Sequence, residues 1–393
     1  MKRNKIYLFL LSGLLLAACS KEDEPSPTPG GEDAFATVSV TVDGINGTKA
    51  TKADATQPGT DAENKIKNLT VVFIDESKNE VIAHGYREIG EGEQNTTARV
   101  GLKTGTYKML LLANTNNISS FKPSDYYDKM VASLEKQGSE NGFVMSNIPE
   151  NIEIKAGENE IKAKDGTPVK IKRLVGRIDL SKLTVDFKYN DGESEGSKDK
   201  DLQGITGLKF HLKRIFLANV RPESYLFETE GHFIEKEGGS YLRGIEDDSY
   251  YNNDNSEIAK ESTYAPYLSE NKEPNNVIEI KEDGSLDNVA SFYAMTNSAT
   301  KEVGSYPVIL YIKGDLYDSG NKKPVLSNRY FRIKLAKGVQ RNTLYKIEAT
   351  IQGKGSPEPG DNKENIDLSV TITVKSWEGK TLDVITINEE IEI

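Results

Sequence analysis

Apolar and polar residues alternate with a period of two near the start of the chain. Ala36, Val38, Val40 and Val42 fall on one side, and Thr37, Ser39, Thr41 and Asp43 on the other. That spacing predicts a strand over residues 36–45 with one buried face. It closes at Gly44 and Gly47. Residues 46–62 (NGTKATKADATQPGTDA) hold Gly, Pro and Thr without periodicity, which predicts an exposed loop. Proteases cut loops of this kind. Further strands are predicted at 69–74, 80–86, 97–102, 107–113, 152–154 and 159–161, each bounded by Gly, Asn or charged turn residues. Residues 169–189 read as two strands joined near Ser181. The later series is 208–218, 290–295, 307–312, 330–335, 344–351, 366–374 and 381–393. One helix interrupts the strands: Ser124-Asp125 can cap a segment to about Gln137 in which Tyr127, Met130, Val131 and Leu134 recur at helical spacing, with Gly138 ending it.

Short strands at this density, with no βαβ alternation, predict an all-β chain of antiparallel sandwiches with one or two short helices. No repeat with a period of 20 to 50 residues is evident. A chain of 393 residues is long for one sandwich and predicts two domains, parted near Pro168 into 35–168 and 169–393. The polar segments 191–201 (DGESEGSKDKD) and 247–255 (DDSYYNNDN) predict loops.

The first residues change the picture from a plain β protein to an exported one. Lys2, Arg3 and Lys5 precede an apolar run over 6–18 that is too short to span a bilayer as a mature helix, so residues 1–19 read as a secretory leader. The leader closes on Leu16-Ala17-Ala18-Cys19, similar to a bacterial lipobox, which makes Cys19 the expected lipid attachment point. Cys19 is also the single cysteine, so no disulfide framework is available. Residues 20–34, with SKEDE and then PSPTPGG, cannot bury a core and read as a tether. With 50 Lys and Arg against 61 Asp and Glu, the net charge is −11, which speaks against nucleic acid as a partner. The 18 Tyr and 12 Phe, with recurrent Thr, Val and Ile, suit pleated, half-buried strands.

Candidate chemistry is sparse. His84, His211 and His232 lie in separate segments, and none belongs to a helical metal-binding pair. Gly192-Glu193-Ser194-Glu195-Gly196 matches the string of a nucleophile elbow, but acidic loop sequence surrounds it, and negative neighbours oppose an oxyanion. Gly379-Lys380-Thr381 has the end of a phosphate loop, but Val374 stands where the first glycine belongs. The 247–255 run offers oxygen ligands for calcium but lacks the glycine and distal glutamate of an EF-hand loop. No catalytic residue, metal site or cofactor is expected.

The constellation that carries function is a pair of strands with one pattern. Residues 36–45 are the first. The second is 382–393, where Ile385, Ile387, Ile391 and Ile393 share one face with Glu389 as the exception. An isoleucine-rich strand of this kind is an aggregation liability unless something covers it. If a protease cut after Lys49 or Lys52, the first strand could leave, and a neighbour's tail could take its place. Four isoleucines give a gross burial gain of roughly 6–12 kcal/mol before ordering costs. The alternative is that the tail pairs inside its own domain and the two lysines are ordinary loop charges. The pattern alone leaves both open.

Residues 62–73 (AENKIKNLTVVF) resemble the first strand after cleavage in the fimbrillins, the subunits of type V pili. Ser291-Phe292-Tyr293-Ala294-Met295-Thr296-Asn297, then Arg341-Asn342-Thr343-Leu344-Tyr345 leading to Gly353-Lys354-Gly355, and Val374-Lys375-Ser376-Trp377 are similar to that family's second domain. The resemblance implies two transthyretin-like β-sandwich domains, export as a lipidated precursor, and a surface location at the outer membrane and fimbrium. It also implies removal of the first strand by a trypsin-like protease and strand exchange with other copies and other pilus subunits by residues 381–393. Two departures stand out. Thr48-Lys49-Ala50 and Thr51-Lys52-Ala53 offer lysine where the family's cleaved residue is arginine, and Thr296 replaces a frequent glutamate. A stalk subunit is the expected role. A tip or anchor subunit, or a monomeric glycan- or protein-binding surface lipoprotein, are the alternatives. Trp377 is expected to pack in the core or at a domain edge, because indole gains most when buried.

Overall fold

The computed structural model describes residues 31–44, 61–118, 122–123, 131–138, 142–187, 208–227, 241–244, 262–265, 278–281, 283–297, 306–318, 323–359, 368–377 and 380–387. The first series of strands is β1 (Asp33–Val38), β2 (Val40–Val42), β3 (Asn68–Asp75), β4 (Glu80–Glu88), β5 (Val100–Lys103), β6 (Gly105–Ala113), β7 (Val131–Ser133), β8 (Met145–Ser146), β9 (Glu150–Ile154), β10 (Gly157–Ile161) and β11 (Val169–Arg173). The second is β12 (Val175–Val185), β13 (Lys209–Ala218), β14 (Glu223–Tyr225), β15 (Tyr241–Arg243), β16 (Ser262–Tyr264), β17 (Ile278–Lys281), β18 (Ser285–Met295), β19 (Ile309–Tyr317), β20 (Leu326–Lys334), β21 (Thr343–Ile351), β22 (Leu368–Ser376) and β23 (Thr381–Ile387). One helical turn, α1 (Asp61–Asn64), precedes β3.

The first series forms a three-stranded sheet in the order β10-β1-β5 and a larger sheet in the order β2-β11-β8-β6-β3-β4, to which β9 is added beside β6. The second forms a sheet in the order β18-β12-β21-β22-β23 and another in the order β17-β13-β19-β20. The strands at the centre of each sheet have the composition their burial demands. β3 (NLTVVFID) keeps Leu69, Val71, Val72, Phe73 and Ile74 out of water, and β6 does the same with Met109, Leu110, Leu111 and Leu112. Near-continuous apolar runs mark strands covered on both faces, whereas β22 (LSVTITVKS) alternates because one face meets solvent. Two close approaches are set by glycine. A Cβ at Gly314 would stand 2.3 Å from the Phe210 ring, which packs edge-on against Phe331 at 5.6 Å, and Gly355, with φ +63°, lies against Phe331 itself.

The all-β class expected from the sequence is what folds, with two refinements. The sheets are mixed: β1 with β10, β2 with β11, β12 with β21 and β15 with β16 are parallel pairs among otherwise antiparallel ones. The two strands expected over 169–189 join at Leu174, and Ser181 instead marks a bulge inside β12. Because β11 bonds to β2 and β8 while β12 bonds to β18 and β21, the two groups of sheets part at Leu174 rather than at Pro168.

The helix expected to run to Gln137 is overturned over its described part. Val131–Ser133 is β7, paired with β14 from the second series, and Leu134–Lys136 is a single 3-10 turn. Partnering at long range supplies the strand's hydrogen bonds, and that outweighs a local helical spacing. Residues 124–130 lie outside the described residues, as do the segments 191–201 and 247–255.

Candidate functional site

β1 is held from both sides. Ala34 through Val38 pair in parallel with Gly157 through Ile161 of β10, and Asp33 through Ala36 pair antiparallel with β5. At Ser39 the chain steps from one sheet to the other, and β2 continues along β11, with Val40 opposite Val169 and Val42 opposite Ile171. The alternation read from the sequence survives that step: Ala34, Ala36, Val38, Val40 and Val42 all point inward and expose between 0% and 4% of their surface. The first strand therefore fills a slot lined by two sheets, and the slot takes small residues at its beginning and valines further on.

The end of the slot is polar. Asp43 donates its backbone N–H to the Ile171 carbonyl at 2.8 Å, its carboxylate lies 3.5 Å from the Lys170 ammonium, and Asn342 donates to the same carboxylate at 3.3 Å. Its backbone carbonyl accepts from Arg173 Nη1 at 3.1 Å. Arg173 is fully buried at the last position of β11. Its Nε donates to the Glu63 carbonyl at 3.1 Å, Nη1 also reaches Asn342 Oδ1 at 2.7 Å, and Nη2 donates to the Asn64 side chain. Burial pulls the Arg173 pKa down to about 10, and the charges of Glu63 and Asp43 oppose that fall. Residue 342 turns the backbone with φ 55°, a conformation that asparagine tolerates better than most residues.

Behind Arg173 lies a buried ionic cluster that joins α1 to the second group of sheets. Glu63, on α1, accepts from Arg177 Nη1 at 2.9 Å and from the Tyr293 hydroxyl at 2.6 Å, and Arg177 Nε donates to Asp179 at 2.8 Å. Burial works against the Arg177 charge, but Asp179 and Glu63 outweigh it and raise its pKa. Burial raises the Tyr293 pKa, and the Glu63 charge raises it further. Burial also raises the Asp179 pKa, with Arg177 pulling back. Buried ionic groups of this kind persist because each finds its partner. None of these residues was singled out as a site from the sequence. The signal was present in Arg177 and Asp179, two charges at i and i+2 inside the apolar run of β12.

The second strand of interest, β23, hangs at the edge of its sheet on β22 alone, with Ile372 opposite Ile385 and Val370 opposite Ile387. Ile385 packs against the core, while Leu382 and Val384 face outward with 56% and 54% of their surface exposed. At the base of this hairpin the Trp377 ring is buried, 4.5 Å from the Arg173 guanidinium. Its indole N–H finds no acceptor among the described residues. The core position expected for Trp377 is the one it occupies.

Of the other predicted site residues, Cys19, Lys49, Lys52, Ile391 and Ile393 lie outside the described residues. No helix among the described residues is long and apolar enough to cross a membrane, and they hold no cluster of His, Cys, Asp and Glu able to bind a metal ion. His211 stacks on Tyr317 at 4.0 Å and lies 3.3 Å from Glu279, on the solvent side of a strand pair.

Comparisons agree with this architecture. Residues 36–197 match the family model described as the major fimbrial subunit protein, FimA. The chain is 23% identical over 424 residues to the major fimbrium subunit FimA type-2 of Porphyromonas gingivalis, an alignment covering 96% of this chain and 98% of that one. It is 23% identical over 431 residues to the type-3 subunit of the same organism, covering 98% and 100%. Among solved structures, a fimbrilin from P. gingivalis W83 superposes with a TM-score of 0.63 at 18% identity, over 88% of this chain and 97% of that chain, a likeness of fold. The resemblance read from the sequence is thereby shown: residues 36–197 carry the pattern of the FimA family, and the chain is similar over nearly its whole length to FimA fimbrium subunits.

Proposed function

We propose that the chain is a structural subunit of a surface pilus stalk and that it joins its neighbours by exchange of β-strands. The observation that carries this reading is the contrast between two strands of like alternation. β1 and β2 fill an internal slot, whereas β23 rests on a single partner with apolar side chains facing water. The relatives named as major fimbrium subunits support the role. The chain is read as two β domains, with Cys19 carrying lipid on an outer-membrane precursor.

Burial favours the exchange. The departing strand offers three valines and two alanines, and the tail offers Ile385, Ile387, Ile391 and Ile393, each worth about 1.5–3 kcal/mol when covered. Cutting after Lys49 or Lys52 by a trypsin-like protease frees the first strand. The pairing of β23 with β22 is then the stored form of the tail before assembly, in keeping with the way native proteins cover their edge strands.

Limited trypsin digestion of the Cys19→Ser precursor, followed by N-terminal sequencing and size analysis, tests this. The expected result is a new start at Ala50 or Ala53 and a ladder of stable multimers. Deleting residues 388–393, which leaves β23 in place, abolishes the ladder. A clean cut that yields only monomers sinks the proposal, and so does a ladder indifferent to the deletion.

A further inference from the structure

We infer that the outer face of the slot carries a subsite for an aromatic side chain, built by Gly101, Arg99 and Glu158, and that Phe35 in this subsite holds the first strand in place after the loop is cut. Retention after cutting rests on the processing and exchange reading above, whereas the subsite itself stands without it. Of the residues that β1 and β2 turn outward, Asp33, Phe35, Thr37, Ser39 and Thr41, only Phe35 is apolar. Its direct neighbours across the two ladders are Glu158 on β10 and Gly101 on β5.

Gly101 supplies a floor. A Cβ there would stand 3.6 Å from the Phe35 ring, so the ring lies across the bare glycine backbone. Arg99, one residue before β5, supplies a roof, with its guanidinium 3.4 Å from the ring centre. The same guanidinium continues to Glu158, donating from Nη2 at 2.6 Å and from Nε at 3.2 Å. Because β1 runs between β5 and β10, this ion pair crosses over the strand from one neighbour to the other with the ring beneath it. The inward side of β1 meets the core through Ala34, Ala36 and Val38, so the strand can leave only outward, past that pair.

An exposed ion pair contributes little by itself. Here the guanidinium is fixed by a ring face and a carboxylate at once, and the ring is shielded from water by glycine on one side and by the cation on the other. The flanking outward contacts, Lys103 to Asp33 at 2.6 Å and the Ser39 hydroxyl to Glu160 at 3.2 Å, are polar and open to replacement by water. A flat apolar group is therefore what this face recognises. Residues 381–393 contain no aromatic residue. A tail entering the slot leaves the subsite unfilled and must prevail through its inward isoleucines, so the resident strand persists after cutting until a donor displaces it.

Amide hydrogen exchange of the uncut Cys19→Ser chain tests the subsite without any processing. Protection over residues 34–38 is expected to fall roughly tenfold in Phe35→Ala, to fall less in Phe35→Leu and Arg99→Gln, and to stay near the parent in Phe35→Tyr. Unchanged protection in Phe35→Ala overturns the subsite, and so does Phe35→Leu matching Phe35→Tyr, which would make bulk rather than a ring face the requirement. Retention is read after trypsin has cut the loop, since residues 22–48 contain no Lys or Arg and survive as one fragment. At a dilution that prevents multimers, the fragment is expected to co-elute with the remainder of the parent chain and to be lost about tenfold sooner from the Phe35→Ala chain. Immediate loss from the parent, or equal rates in the two chains, overturns retention. Absence of any cut in the loop instead fails the processing reading, while the exchange result still decides the subsite.

Discussion

Glu63→Ala should lower the unfolding free energy by about 3 kcal/mol, the low end of what breaking a buried ion pair costs. The substitution leaves Arg177 and Arg173 in a site that excludes water, and it strips the Tyr293 hydroxyl of the oxygen it donates to at 2.6 Å. Asp179 still pairs with Arg177 at 2.8 Å, which is why the cost stays at the low end. Glu63→Gln is the informative companion. Its amide oxygen can still accept from both partners, so the loss should be about 1–2 kcal/mol. Urea denaturation of both variants beside the parent chain measures these differences. If Glu63→Ala unfolds within about 0.5 kcal/mol of the parent, the cluster does not hold α1 to the second group of sheets.

Trp377→Ala should cost about 3–5 kcal/mol, because it empties the largest fully buried side chain among the described residues. Trp377→Phe should stay within about 1 kcal/mol of the parent. The smaller ring keeps a face toward Arg173 and removes an indole N–H that has no acceptor. The alanine variant should also loosen the β22–β23 hairpin ahead of the rest of the fold, which hydrogen exchange at residues 381–387 measures. Equal damage from phenylalanine and alanine would mean that the N–H, not the ring volume, anchors the hairpin.

Much of the framework was legible because its signals are local. β3, β6 and β19 announce themselves as largely apolar runs, and β1 and β2 as strict alternation. The resemblance to the fimbrillins rested on short motifs, and of those Asn297, Asn342 and Trp377 occupy buried positions. What stayed hidden depends on partners far away in sequence. Val131 and Leu134 mimic a helical face, yet β7 pairs with a strand some ninety residues later. β11 follows Pro168 and reads from the sequence as the start of the later series, yet its bonds run to β2 and β8. Glu63 sits among charges that look like loop surface, and only Arg177 and Tyr293, distant in the chain, make it an interior residue. A buried charge leaves no local pattern, because its partner can lie anywhere along the chain.

Trp377 gives the molecule a built-in optical probe. It is the single tryptophan in the sequence, and it lies under Arg173, whose guanidinium touches the end of the first strand on one side and the base of the tail hairpin on the other. The tryptophan emission of the native chain therefore comes from one indole at the junction of the two strands that the proposed exchange would move. Departure of either strand admits water to that ring, so the colour of the emitted light follows those two events without any attached label.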